Sequence, residues 1–453
     1  MTMLRAARRS PGGVHPAYRK EATQGRPIEN MPLPPLLRVS LSQHLGAPAK
    51  PLVKKGDRVR RGQRIGEAVG FVSAHVHAPT SGTVQAVVDW PTPAGGMQPA
   101  VEIVPDGSDE WAADLAPCAD WAAADSRALL ARILEAGLCG MGGAGFPTHV
   151  KLGPPANKPI DTLIVNGAEC EPCLTADHRL MVEQAAGIWT GARILRRILN
   201  ARTIRVAIED NKPDALAAME QALAAAPEAD AAIVALPTAY PQGAEKQQIY
   251  AVTGREVPSG GLPMDVGVLV ENVATALAAA EAVVEGRPLT ERVLTVTGRP
   301  VARPANVRAR LGTPLSDVLA FCGGLREPAA KAIAGGPMMG LALPTLEVGV
   351  AKTTSGLLFL APDAAPAFTS LPCIGCARCV EACPMRLLPA ELSQMLEAED
   401  YETAEAYQVL DCIECGCCAY VCPARRPLVQ HMKQGKARVA LKRRQQQERK
   451  AQA

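Results

Sequence analysis

The chain has 453 residues, 48% of them hydrophobic and 21% charged, and its cationic residues exceed its anionic ones by only three. That length is more than one core supports and predicts three or four domains, while the near balance of charge offers no surface for wholesale nucleic-acid binding and excludes nucleic acid as an expected partner. No stretch reaches the about eighteen uninterrupted apolar residues of a membrane span; the best candidate, 266–284, is broken by Glu271, Asn272 and Glu281.

Residues 1–35 are rich in Pro, Gly and Arg, start with a basic stretch lacking the apolar core of a signal peptide, and read as an extended arm draped over its own protein or a neighbour. From 36 to 110, VKKGDRVRRGQRIGEA and HAPTSGTVQAVVD look like the two halves of a biotinyl/lipoyl-type barrel-sandwich, with turns supplied by the unit from Gly56 to Gln63. The hairpin that would present a modified lysine reads GEAVGFVSAHV and has none, so the module is read as structural. His75 and His77 alternate on one strand face without a third ligand and are read as an ordinary strand pair.

Residues 126–136 have helical periodicity, with Ser126 as candidate N-cap. The stretch GLCGMGGAGFPTHVK follows. Gly140, Gly142 and Gly145 satisfy G-x-G-x-x-G by the letter, but a helix precedes them where a dinucleotide fingerprint requires a strand. What is left is either a flexible turn or a bare-backbone loop able to approach a phosphate or flavin ring, with Lys151 as charge partner. The strands DTLIVN, TIRVAIED and AAIVALP, with the helix DALAAMEQALAAA, predict a doubly wound α/β domain over 125–285. Asn166, Glu169, Glu171 and Asp177 sit just past the carboxyl end of the first strand, where such folds bind ligands. Cys170 and Cys173, in that same loop, are read as packing rather than as a redox dithiol.

Two runs near the end carry the sharpest chemistry. CIGCARCVEACP and CIECGCCAYVCP both read C-x2-C-x2-C-x3-C-P, in which the first three cysteines of a run hold one [4Fe–4S] cluster and the fourth crosses to the other. Cys373, Cys376 and Cys379 are thus expected to share a cluster with Cys422, and Cys412, Cys415 and Cys418 with Cys383. Zinc competes for any C-x2-C pair, but the repeated third and fourth cysteines with their prolines, Pro384 and Pro423, disfavour it. A disulfide framework suits a small secreted domain instead. Cys417 is an extra cysteine, read as a non-ligand. Residues 390–408 read as one helix between the runs, and 431–453 as a basic helical tail, either a solvated helix end or a dock for an anionic membrane or acidic partner.

GMGGAGFPTHVK, VNGAECEPCLTADHRLM, YPQGAEKQQIYAVTGREVPSGGLPMDVG and VENVATAL resemble the flavin-binding subunit of respiratory NADH dehydrogenase. Joined to the arm motif GGVHPAYRKEAT, the barrel-sandwich and the two cysteine runs in the same order, they resemble more closely the RnfC family, the C-type subunits of Rnf ion-translocating electron-transport complexes, over about 12–432. The resemblance implies a multidomain α/β and α+β fold: a barrel-sandwich hybrid, a Rossmann-like flavoprotein domain, an SLBB β-grasp domain over 287–350 and a bacterial 2[4Fe–4S] ferredoxin-like domain over 365–430. It implies FMN, two [4Fe–4S] clusters and NADH as substrate, with Gly140, Gly142, Gly143, Gly145, Phe146 and Lys151 cradling the flavin. Asn166, Glu169 and Glu171 would line the flavin and nicotinamide pocket, and Glu245 and Asn272 would complete it. No catalytic acid or base is implied.

The implied function is electron entry from NADH at the cytoplasmic face of the bacterial inner membrane. The implied partners are the other Rnf subunits, among them integral membrane subunits and a ferredoxin-like subunit, with ferredoxin or flavodoxin reached indirectly. The chain departs from the respiratory flavoprotein at Cys173, where that protein has glycine, and in replacing that protein's own cluster motif with the ferredoxin runs. Two alternatives are a soluble flavin/iron–sulfur reductase resembling cobalamin reductase, and a flavin-free relay resembling the quinone-binding component of the sodium-pumping NADH dehydrogenase.

Overall fold

The computed structural model describes residues 3–6, 8–93, 95–365 and 370–452. Its largest unit is an α/β domain around a five-stranded parallel sheet. The strands are β1 (Leu4–Arg5), β2 (Thr162–Asn166), β3 (Thr203–Glu209), β4 (Ala231–Leu236) and β5 (Val268–Asn272), in the order β1-β4-β3-β2-β5. Both faces of such a sheet must be covered, which is why its strands are apolar runs without alternation. Leu163, Val165, Val206 and Ile208 face the helices α1 (Ser126–Glu135), α2 (Ala176–Glu183), α3 (Ala185–Leu199), α4 (Pro213–Ala225) and α6 (Val273–Ala280). Ile164, Ala207, Val234 and Val270 face α5 (Glu245–Thr253) on the other side. Helix α1 is capped by Asp125, whose carboxylate accepts from the Arg127 amide, and not by Ser126, which is already its first residue. The apolar stretch 266–284 is β5 followed by the wholly buried α6.

From β2 the chain winds one way to β3 and β4, and then returns to place β5 on the other side of β2. The carboxyl ends of β2 and β5 therefore mark the switch point where doubly wound sheets open a ligand crevice. Asn166 and Asn272, the last residues of these strands, are register partners there.

The barrel-sandwich has a four-stranded sheet (Leu37–Ser40, Met97–Pro105, Gly82–Pro91, Arg58–Val59) and a three-stranded one (Lys50–Pro51, Arg64–Glu67, Val76–His77) closed over Leu37, Val39, Ile65, Val84 and Ile103. A third domain has a six-stranded mixed sheet ordered Leu341–Ala342, Lys331–Ala334, Gly356–Leu360, Glu291–Thr297, Ala305–Arg310, Ile28–Asn30. The expected end of this domain at 350 is too early, because Gly356–Leu360 is an interior strand paired on both sides. The arm is more than a drape. Its first strand, β1, adds an edge to the five-stranded parallel sheet, and Ile28–Asn30 adds one to the third domain.

In the cysteine module, the expected single helix over 390–408 is two, Pro389–Glu397 and Tyr401–Ala406. Glu399 adopts φ 57° between them, and Asp400 caps the second by accepting from the Thr403 amide. The basic tail is not separate from the module either: helix Leu428–Gln452 buries Leu428, Met432 and Val439 within it. Lys436 bonds Glu414 at 2.6 Å and the Cys412 carbonyl at 2.7 Å, so part of the tail's charge is already paired. No helix among the described residues is long and apolar enough to cross a membrane.

Candidate redox site

The glycine loop leaves α1 and passes over the switch point. Gly140 donates to the Phe146 carbonyl at 2.8 Å, closing the loop, and Gly142, Gly143 and Ala144 are exposed at its crest. A Cβ on Gly142 would stand a tight 3.1 Å from Asn272 Cβ; Gly143, at φ 142°, opens onto free space. The amides of Gly142, Gly143 and Ala144 donate to no protein acceptor among the described residues. Three free amides at strand carboxyl ends suit an anion or a polar ring edge.

The back of the loop is held by other domains. The Gly145 carbonyl accepts from Leu45 of the barrel-sandwich at 3.0 Å. Lys352, fully buried, donates to the Gly137 carbonyl at 2.7 Å and to the His75 carbonyl at 2.6 Å. Burial pulls the Lys352 ammonium down to about 8. Arg292, also buried, donates to the Met141 carbonyl at 2.8 Å. The barrel-sandwich thus acts as a buttress for the loop.

Beneath the loop, Asn166 donates to the Gly243 carbonyl at 2.8 Å and accepts from Gln248 at 2.7 Å. Asn272 caps α6 through the Ala274 amide and donates to Asp177 at 2.6 Å. The Glu169 carboxylate caps α2, accepting from the amides of Asp177 and His178 at 2.8 and 3.0 Å. Burial, with Glu169 next, raises the Asp177 carboxyl to about 6. Lys151 pairs with Glu245 at 2.8 Å and donates to the Val270 carbonyl at 2.5 Å. Glu171 is aimed elsewhere: its carboxylate accepts from the amides of Met338 and Met339 in the third domain, at 2.9 and 2.8 Å. The structure thus gathers the glycine loop, Asn166, Glu169 and Asn272 at the switch point and sets Lys151 and Glu245 beside β5. Glu171 points to the third domain instead.

Sequence alone does not single out Lys20. It is 4% exposed, and its ammonium donates to the carbonyls of Glu169, Glu171 and Leu174 at 2.8, 3.1 and 2.5 Å. The arm motif containing it is visible, but its partners lie about 150 residues on. Glu271 reads in sequence only as a break in an apolar run. Burial pushes its carboxyl up to about 7, with Lys151 opposing, and its Oε1 lacks a partner. A carboxyl raised in the folded state contributes stability that is fully present below its unfolded value and is lost as pH rises through about 7. Glu271→Gln is therefore expected to raise the melting temperature at pH 8 and to change it little at pH 5; an equal gain at both pH values contradicts this.

In the cysteine module, Cys383, Cys412, Cys415 and Cys418 line one small cavity with Pro384, Ile413 and Met432. Cys379 and Cys422 pack together against Leu428, and Cys373 and Cys376 are exposed on the preceding loop. Among the described residues, no three His, Cys, Asp or Glu side chains stand close enough to hold a single metal ion. Cys417 is fully buried, with its thiol toward the Tyr240 carbonyl at 3.8 Å. Cys417→Ala is expected to keep the full iron content and Cys415→Ala to lose about half, checked by iron and sulfide assay. Cys170 receives the Gly243 amide at 3.1 Å, whereas Cys173 packs against Ile333 and Leu358; both are free thiols in separate surroundings.

An α/β domain open at a glycine loop, joined in one chain to a module that gathers Cys383, Cys412, Cys415 and Cys418 round one cavity and carries a second four-cysteine run, is the arrangement of an electron-transfer protein that couples a flavin-type site to iron–sulfur centres. Residues 133–281 match the Nuo51 FMN-binding domain, 8–108 the RnfC barrel sandwich hybrid domain, 293–342 the SLBB domain and 372–425 the 4Fe-4S dicluster domain. The chain is 45% identical to the C component of the proton-translocating ferredoxin:NAD(+) oxidoreductase complex of Clostridium ljungdahlii, covering 87% of this chain and 86% of that one. It is 43% identical to the Na(+)-translocating counterpart of Acetobacterium woodii, covering 96% and 97%, and 46% identical to the C component of the ion-translocating oxidoreductase complex of Rhodobacter capsulatus, covering 95% and 83%. The chain belongs to this family, the RnfC components of ion-translocating ferredoxin:NAD(+) oxidoreductase complexes. A crystal structure of an NAD+-reducing [NiFe]-hydrogenase shares the fold with a TM-score of 0.51 and 22% identity, over 72% of this chain and 65% of that one.

Proposed function

We propose that this chain is the peripheral electron-entry subunit of a membrane-bound ion-translocating NADH:ferredoxin oxidoreductase. The observation that carries the reading is the exposed fan of Gly142, Gly143 and Ala144 amides above paired Asn166 and Asn272, in one chain with a cavity lined by Cys383, Cys412, Cys415 and Cys418. When bound, FMN accepts a hydride from NADH and gives up electrons singly, and [4Fe–4S] clusters carry them one at a time.

The chain's own residues supply position. Gly140 to Gly145 and Phe146 leave a bare backbone for the flavin, and Lys352 and Arg292 fix the loop's two shoulders. Asn166, Glu169 and Asn272 are each locked by bonds to neighbouring backbone, so the floor of the crevice is rigid before any ligand arrives. The Lys151–Glu245 pair sets a polar wall beside β5 that would border the nicotinamide. Cys373, Cys376, Cys379 and Cys422 hold one cluster, and Cys383, Cys412, Cys415 and Cys418 the other. The protein sits on the cytoplasmic face of the inner membrane and hands electrons to integral membrane subunits and a ferredoxin-like subunit.

Protein purified without oxygen is expected to carry about one FMN and eight irons, and NADH should bleach both chromophores. Iron without flavin and without bleaching would turn the chain into a relay and end this reading.

A further inference from the structure

A second cleft lies away from the glycine loop. It opens outside the carboxyl ends of β3 and β4, has the N-terminal arm as its outer wall, and encloses about 530 Å³. Small-molecule sites span about 300–1,000 Å³. The arm is fastened on both sides of this space. Val14 and Tyr240 exchange backbone hydrogen bonds at 2.8 and 3.0 Å, and Ser10 donates its hydroxyl to the Gln247 carbonyl at 3.3 Å. Gly13, at φ 87°, permits the approach, since a Cβ there would stand 2.7 Å from the Tyr240 carbonyl oxygen. The facing wall is the loop after β4, whose Thr238 donates both its amide and its hydroxyl to one oxygen of Asp210, at 3.0 and 2.6 Å.

The groups lining the cleft divide by chemistry. Arg9 and His15 are exposed on the arm side, and Arg9 forms no ion pair among the described residues. Gln242 lies deeper, 4% exposed, and its Nε2 has no partner among the described residues. A buried amide donor left without an acceptor is unfavourable, and an acceptor on a ligand relieves it. These three donors suit a phosphate, two of whose oxygens a guanidinium grips at once. Asp210 is opposite in kind. Thr238 occupies one of its oxygens, and the other is left to accept from hydroxyls. Doubly wound folds hold a ribose hydroxyl on such a carboxylate. No aromatic ring offers its face, because Tyr240 is 1% exposed, so the recognised unit is the sugar phosphate and not a base.

We infer that this cleft is a second ligand site, which takes the ribosyl phosphate unit shared by nucleotides and pentose phosphates. Arg9, His15 and Gln242 hold the phosphate, and Asp210 holds the sugar hydroxyls. None of these four residues takes part in the crevice at β2 and β5. The same loop carries Tyr240, whose hydroxyl donates to the Cys415 carbonyl at 2.7 Å, and Gly243, whose carbonyl holds Asn166. The site therefore borders both redox centres and belongs to neither.

Titration calorimetry on the full chain, purified without oxygen and carrying its cofactors, tests this with ADP, ribose 5-phosphate, inorganic phosphate and ribose. The two ribosyl phosphates are expected to bind about tenfold or more tightly than phosphate or ribose alone, as added hydrogen bonds to charged groups allow. ADP binding tighter than ribose 5-phosphate marks a nucleotide as the occupant, and equal binding marks a free pentose phosphate; both outcomes bear the inference out. Arg9→Ala, at an exposed position, is expected to weaken both ribosyl phosphates by about tenfold or more. Asp210→Asn keeps an acceptor for Thr238 and is expected to weaken them while leaving phosphate binding unchanged. Bleaching by NADH should keep its rate in both variants, which separates this cleft from the NADH site. Binding of none of the probes, binding that Arg9→Ala leaves intact, or phosphate binding as tight as that of ribose 5-phosphate overturns the inference. A chain that binds the probes but is not reduced by NADH would end the electron-entry reading and leave this site standing.

Discussion

Replacing Lys20 with methionine is expected to cost the chain most of its flavin and to destabilise it by about 2–4 kcal/mol, the scale of leaving buried carbonyls without a donor. Methionine keeps the length of the side chain but offers no hydrogen to the carbonyls of Glu169, Glu171 and Leu174, which Lys20 satisfies together. Those carbonyls belong to a loop that is strained: Glu169 and Cys173 both adopt left-handed backbone, at φ 40° and 70°, and such conformations persist only where the surroundings impose them. Once the loop relaxes, Glu169 no longer caps α2, and the crevice floor beside Asn166 and Asn272 loses its shape. Burial pulls the Lys20 ammonium below its ordinary value, so its charge is itself held at a cost that the three carbonyls offset. Flavin content after gel filtration and the melting temperature check this; full flavin with an unchanged melting temperature refutes it.

Gly191→Ala is the second large effect, and here two principles predict opposite signs. In an exposed helix interior, alanine would stabilise by roughly 1 kcal/mol over glycine. Gly191, however, lies where α3 crosses α6, and an added Cβ would overlap the Ala276 carbonyl. Overpacking at an interior contact costs about 1–3 kcal/mol, occasionally more, and the obstacle here is backbone rather than a flexible side chain. Packing wins. Because α6 begins at its cap Asn272, separating the helices moves the floor under Gly142, so flavin affinity is expected to fall along with the melting temperature. A higher melting temperature would show that the helices part without penalty.

What was legible in the sequence was local. The cysteine runs, the doubly buried strands β2 to β4 and the barrel-sandwich turns each carry their signal within a dozen residues, and the fold class follows from them. The glycine loop could be picked out as a candidate for the same reason, although its role as a flavin cradle belongs to the proposal. What escaped depends on distant partners. Strand Gly356–Leu360 is short and apolar, and nothing nearby shows that it pairs with Glu291–Thr297 and Lys331–Ala334. Lys20 and Lys352 look like surface lysines until their carbonyl partners arrive from other domains. Glu171 lies two residues from Glu169, itself left-handed at φ 40°, yet the two carboxylates bond to different domains. The break at Glu399 is masked because it lies in LEAEDYETAEA, a stretch of mostly helix-forming residues with neither glycine nor proline.

The arm imposes an order on synthesis. Asn30 is translated long before Arg308, its register partner, and Leu4 before Val234. At ribosomal speeds of about 5–20 residues per second, the arm waits on the order of 15–60 s for its partners. The barrel-sandwich, by contrast, has its strands within one contiguous stretch and can close early. The arm is already made when those strands emerge, so each sheet can take up its edge strand as it forms; until it does, the sheet has a bare edge, and exposed edges are where chains pair wrongly.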